Sequence, residues 1–200
     1  MNATLANTIF RQSIDVYHQT DHVDTPLQNP YEAQSMEALL YQKNWIDTVQ
    51  WHLEDLIRSP EIAPEELVGL KRRIDQSNQD RTDTVEKMDD WFIALLGDAP
   101  RKPTARLNSE TPAWLLDRMS ILQLKIYHFR EQAQRLEASD DHRQKAQQKL
   151  HLLLEQETDL ANCFDELLED IRNGDRYMKV YRQMKMYNDP TLNPVLYQQK

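Results

Sequence analysis

Apolar residues recur at helical spacing along most of this chain, and the pattern is interrupted in the middle of the longest predicted helix. Its stripe has apolar side chains at both ends: Leu67, Leu70, Ile74, Val85, Met88, Phe92 and Leu95. Between them, Ser77, Asn78 and Arg81 occupy the positions that should continue the stripe. A helix that is apolar at both ends and polar on the same face between them is expected to line a polar site inside a bundle.

The same periodicity predicts five helices, over about residues 4–18, 31–58, 64–97, 113–136 and 140–173. Pro60 ends the second helix, because the residue before a proline disfavours the helical conformation. Gly97 and Gly174 end the third and fifth helices. Residues 98–112 read as an internal linker between two helical hairpins.

These elements predict an all-α fold, a bundle of about five long helices built from two hairpins and a fifth helix. The predicted C-terminal tail, residues 175–200, is rich in Tyr and Met, whereas disordered tails are poor in aromatic residues. We therefore expect the tail to dock on the bundle. Residues 1–200 are interpreted as one domain.

Composition and charge argue against some classes of function and indicate the compartment. The net charge of -9 argues against nucleic-acid binding, which needs a basic face. A single cysteine, Cys163, fits a reducing compartment. The N-terminal residues do not resemble a signal peptide, and no apolar run reaches the roughly 20 residues that span a bilayer, so we expect a cytoplasmic protein without membrane insertion.

Three histidines precede a carboxylate by three residues, which places both groups on one helix face. The pairs are His18 with Asp21, His52 with Asp55, and His128 with Glu131. Helix bundles hold divalent metals with such groups, so Fe, Mn, Zn or Mg is the candidate cofactor. Glu157, at the centre of the fifth stripe, must be paired, liganded or protonated. The predicted ligand set is His52, Asp55, His128, Glu131 and Glu157. The alternative is plain structural pairing of histidine with carboxylate.

Three cations lie in or beside apolar stripes: Arg81, Arg118 and Lys125. Unpaired cations are costly there, so they could converge on an anionic, even phosphorylated, small molecule. The alternative is a buried ion-pair network with Glu157, Asp83 or Glu86. Asp75 and Glu86 share a face that could hold Mg²⁺, but surface charge is the simpler explanation.

Two functional hypotheses follow. In an enzyme, His52, His128 and Arg81 would be catalytic, while Asn78, Arg118 and Lys125 would bind the substrate. In a non-catalytic adaptor or assembly protein, which includes a homo-oligomer, the buried polar groups would specify helix pairing and the tail would bind the partner.

Several segments resemble a bacterial family known only as a domain of unknown function. They are KNWIDTVQWHLEDLIR (43–58), LKRRIDQSNQDRTDTVE (70–86), DRMSILQLKIYH (117–128) and YRQMKMYNDPTLNPVLY (181–197), with NPY at 29–31. The resemblance covers nearly the whole chain and implies a single bacterial domain without an assigned activity. It also suggests an association with cell-envelope glycan synthesis, in which the adaptor hypothesis would fit.

Overall fold

The computed structural model describes residues 1–183 and 191–192 and confirms the all-helical bundle. Its helices are α1 (Ala3–Tyr17), α2 (Met36–Ile57), α3 (Pro64–Leu96), α4 (Pro112–Gln134) and α5 (Asp140–Arg172). Two short strands, β1 (Arg106–Leu107) and β2 (Arg176–Tyr177), form a parallel pair. Among the described residues, no helix is both long and apolar enough to span a membrane.

Side-chain caps determine where four helices begin. Asn2, Ser35, Thr111 and Ser139 each accept a hydrogen bond from a backbone N–H of the first helical turn. The predicted start of the second helix, at residue 31, is therefore five residues too early. Gln34, directly before the Ser35 cap, has a φ of 71°, which is incompatible with a continuous helix.

The helices pack as two hairpins with α1 laid across them. α2 packs on α3, α4 packs on α5, and α1 contacts α2, α4 and α5. The main core lies among all five helices and contains Phe10, Leu40, Phe92, Leu116 and Phe164, each fully buried. α4 is central because it contacts every other helix.

The linker and the C-terminal segment meet at the β1–β2 pair. Gly174 adopts a φ of 76°, and the N–H groups of Gly174 and Asp175 bond back to the carbonyls of Ile171 and Asp170. This arrangement closes the end of α5. Arg182 then pairs with Asp90 on α3, so the described beginning of the predicted tail contacts the bundle. The rest of the predicted tail, residues 184–190 and 193–200, lies outside the described residues.

Candidate metal centre and buried ion network

Three histidines from three helices meet at one end of the bundle. His18 caps the C-terminus of α1, His52 lies on α2 and His128 on α4. One ring nitrogen from each comes within 4.8 Å of the others, and the Nε2 atoms of His18 and His52 are 3.3 Å apart. Nitrogens that bind one tetrahedral zinc at about 2.0–2.1 Å lie about 3.3 Å apart. The cluster is therefore close to metal-binding size.

Hydrogen bonds orient two of the rings. The Nδ1 atom of His18 lies 2.8 Å from the carbonyl oxygen of Ile14, and that of His128 lies 3.2 Å from Oε2 of Glu131. A proton on each Nδ1 leaves the lone pair on Nε2. The Nε2 atom of His128 is buried and has no hydrogen-bond partner in the part of the chain that the structure describes. Carboxylates and carbonyls behind the rings are typical of histidines that bind metals.

Each of the three imidazoles also stacks on an aromatic ring. Tyr127 stacks on His18 with centroids 4.2 Å apart, Trp51 on His128 at 4.9 Å, and Tyr17 on His52 at 5.2 Å. These contacts restrict the ring orientations and exclude water from their faces. The three histidines are thus held in place before any ligand binds.

Burial keeps two of the imidazoles neutral. It lowers the pKa of His52 and of His128, although nearby carboxylates act in the opposite direction. Burial also raises the pKa of Tyr17, which stacks on His52, to about 12. At neutral pH the imidazoles of His52 and His128 therefore offer lone pairs rather than positive charge.

A carboxylate stands beside the cluster. An Oδ1 atom of Asp21 lies 3.7 Å from Nε2 of His52, and its side chain is largely exposed. Asp21 adopts a φ of 51°, just after the end of α1. The sequence paired Asp21 with His18, whereas in the structure it faces His52.

The predicted ligands separate into two groups. His52 and His128 come together, and Glu131 lies behind His128. Asp55 is exposed and lines a cleft on α2, and Glu157 accepts hydrogen bonds from Arg11 and Gln123. Neither Asp55 nor Glu157 belongs to the three-histidine cluster found among the described residues. Glu157 is thus paired, one of the three states expected for it.

The polar interruption of α3 faces a buried ion network. Arg81 donates from Nε and Nη2 to the two carboxylate oxygens of Asp117, at 2.8 and 2.5 Å. Lys43, fully buried, contacts both Asp47 and Asp117. Asp47 also accepts a 2.6 Å hydrogen bond from Ser120. Two cations and two carboxylates thus link α2, α3 and α4.

Burial and pairing act in opposite directions on the two carboxyl groups. Burial raises the pKa of Asp47 above its usual value, against the effect of Lys43. Burial also acts to raise the pKa of Asp117, but the hydrogen bond from Arg81 and the charge of Lys43 outweigh it and lower that pKa. Asp117 is therefore the firmly ionised member of the network.

The other predicted substrate-binding residues do not meet Arg81 at one point. The carbonyl oxygen of the Asn78 side chain accepts a hydrogen bond from Gln50 at 2.9 Å. Arg118 is exposed and pairs with Glu110 at 3.1 Å, and Lys125 is exposed on α4. The ion-pair alternative therefore describes Arg81, although its partners are Asp117 and Asp47 rather than the acids considered from the sequence.

Sequence reasoning missed the central role of His18 and of Asp117. The sequence pairs His18 with Asp21 but leaves His18 out of the predicted ligand set, because the histidines that it meets come from helices distant in the chain. Lys43 and Asp47 are four residues apart in the sequence and so share one face of the second predicted helix. That spacing is a sequence signal that points to the network.

The comparisons with known proteins give one result. The family model described as "Protein of unknown function (DUF4254)" matches residues 37–180. No curated protein and no solved structure matches the chain. Because the family model covers well over half of the 200 residues, the chain belongs to the DUF4254 family of proteins of unknown function.

Proposed function

We propose that this protein is a metal-dependent enzyme whose centre binds one divalent cation through His18, His52 and His128. Zn²⁺ is the first candidate for that cation. The observation that carries the proposal is the meeting of three imidazole nitrogens within 4.8 Å, where Nε2 of His128 is buried without a partner among residues 1–183 and 191–192. Buried polar atoms without a partner are rare in folded proteins and call for an explanation. A metal ion supplies that partner.

The local charge supports a cation. Asp21, Asp55 and Glu131 all act on His52 in the direction that favours positive charge there. Burial lowers the pKa of His52 and of His128, which favours their neutral forms, while three carboxylates lie close by. A divalent ion is attracted by the charge of these carboxylates and meets three nitrogen ligands.

Three histidine ligands leave one position of a tetrahedral zinc for water or substrate, which is the arrangement of catalytic rather than structural sites. A zinc ion in such a site lowers the pKa of its bound water to about 7. The exposed carboxylate of Asp21, with Oδ1 3.7 Å from Nε2 of His52, would be a hydrogen-bond acceptor for that water. The proposed reaction class is therefore hydrolysis or hydration.

Metal analysis of the untagged protein tests the proposal. We expect about one equivalent of metal per chain in the wild type, and a loss of most of it in His18→Ala. His151→Ala is the matched control, because His151 is exposed on α5. Wild-type protein that retains no metal after equilibration with Zn²⁺ would contradict the proposal. So would a His18→Ala variant that retains as much metal as the wild type.

The adaptor alternative is supported by a different observation. The network of Lys43, Asp47, Arg81 and Asp117 joins three helices with buried charge, and buried polar groups can specify which helices pair. It would serve that role with or without a metal.

A further inference from the structure

A cleft lies beside the ion network and is lined by none of the three histidines. It runs between α2, α3 and α4 and has a volume of about 330 Å³. Ligand pockets in proteins begin at about this size. None of the three histidines lines it, so it is a separate site.

The inner end of the cleft presents part of a guanidinium group. Arg81 uses Nε and Nη2 to bind Asp117, which leaves Nη1 without an acceptor among the described residues. The Arg81 side chain is 28 % exposed and lines the cleft, whereas its partner Asp117 is 4 % exposed. The free N–H groups of Arg81 are therefore the donors that a bound molecule can meet.

This guanidinium is held rigidly. Asp117 accepts two hydrogen bonds from it, and Oδ1 of Asp47 lies 3.6 Å from its Nε atom. Lys43 in turn holds both carboxylates from behind. A cation whose orientation is set before binding loses little entropy on binding, which favours recognition of a planar oxyanion.

The walls of the cleft are apolar. Trp51, Ile121 and Leu124 line it, and Leu124 is 1 % exposed. Trp51 is held by its stacking on His128. A rigid indole next to aliphatic side chains suits the face of a ring.

The formal charges around the cleft disfavour an anion that carries more than one charge. Asp47, Glu54 and Asp55 line it against Arg58 and Arg81, so the lining carries a net charge of −1. Glu54 and Arg58 already pair with each other at 2.9 Å. A phosphate dianion would add repulsion that one free guanidinium edge does not offset, whereas a carboxylate fits that edge geometrically.

We propose that this cleft binds a ring-bearing small molecule with a single carboxylate. The carboxylate accepts hydrogen bonds from the Nη1 side of Arg81, and the ring packs against Trp51 and Leu124. The proposed site contains none of the proposed metal ligands and goes beyond the proposed metal centre.

The test is calorimetric titration with sodium benzoate, with neutral benzamide as the matched compound. We expect saturable binding of benzoate, about tenfold tighter than that of benzamide because a charge-assisted pair is lost in the amide. Ile121→Trp should abolish binding because the indole fills the cleft. Ile121 lies outside the ion network, so this change leaves the network intact. Leu152→Trp, on the exposed face of α5, is the control and should bind as the wild type does.

Chelation separates this site from the metal centre. Benzoate binding should persist in EDTA, whether or not the protein holds a metal. The inference is overturned if benzoate does not saturate the wild type, if benzamide binds equally well, if Ile121→Trp still binds, or if EDTA removes binding.

Discussion

The Nε2 atoms of His18 and His52 lie 3.3 Å apart, although 34 residues separate them in the chain. α1 and α2 bring them together, and α4 adds His128. Two imidazoles with facing nitrogens can share one proton or one metal ion. The proposed metal would also give Nε2 of His128 the partner that it lacks among the described residues.

Acid should destabilise the metal-free protein through this cluster. The pKa values of His52 and His128 are lower in the folded chain than the ordinary value of 6.5. The unfolded chain therefore binds more protons as the pH falls through about 6.5, and the free energy of unfolding decreases. Urea denaturation between about pH 7.5 and pH 5.5 should show this decrease.

The decrease should be smaller in His128→Gln, which removes one of the titrating groups, and unchanged in His151→Gln. A wild-type unfolding free energy that rises on acidification across this range would contradict the assignment of neutral, buried imidazoles.

Glu131 should tune metal affinity without binding the metal. It accepts the Nδ1 proton of His128 and so directs the lone pair of Nε2 toward the cluster. Glu131→Gln should weaken Zn²⁺ binding about 10- to 100-fold while the stoichiometry stays the same. Competition with a chelating dye measures this change. Glu137→Gln, exposed beyond the end of α4, should leave the affinity unchanged, and equal effects of both variants would show that only net charge matters.

Asp117→Asn should be strongly destabilising. The change leaves two cations, the fully buried Lys43 and the half-buried Arg81, with Asp47 as the one remaining carboxylate of the network. Breaking a buried ion network in this way costs about 3–5 kcal/mol. Thermal or urea denaturation gives the value.

The comparison for that variant is Glu110→Gln, which breaks the exposed pair with Arg118 and should cost less than about 1 kcal/mol. Equal losses in the two variants would mean that the network contributes no more than a surface pair.

Gly174 and Gly69 should respond to alanine in opposite directions. Gly174 has a φ of 76°, and an added Cβ would lie 2.3 Å from the carbonyl oxygen of Pro100. Gly174→Ala should therefore lower the free energy of unfolding by more than about 1 kcal/mol. Gly69 is inside α3 with nothing within 4 Å of the added Cβ, so Gly69→Ala should raise it by about 1 kcal/mol. Denaturation of both variants checks the pair, and a stable Gly174→Ala protein would contradict the strained turn.

The helices could be predicted from the sequence because their apolar spacing is local. The interruption at Ser77, Asn78 and Arg81 correctly marked the part of α3 that faces a polar interior. The spacing could not show what faces it, since Asp117 is 36 residues away and comes from another helix. The start of α2 was misplaced because the Ser35 cap acts through local hydrogen bonding, which apolar periodicity does not register.

The candidate metal site was predicted only in part, for the same reason. His18, His52 and His128 each precede a carboxylate by three residues, but only His52 and His128 entered the predicted ligand set. His18 completes the cluster through the packing of α1 across α2 and α4, which no single-helix pattern contains. Glu157 looked central in its stripe but lies near Arg11, which neutralises it.

X-ray absorption spectroscopy of the zinc-loaded protein tests the central claim most directly. The account predicts one zinc with three imidazole nitrogens at about 2.0–2.1 Å and one further oxygen ligand. A zinc coordinated by fewer than three imidazoles, or mainly by carboxylate oxygens, would contradict it. So would a protein that fails to take up zinc at all.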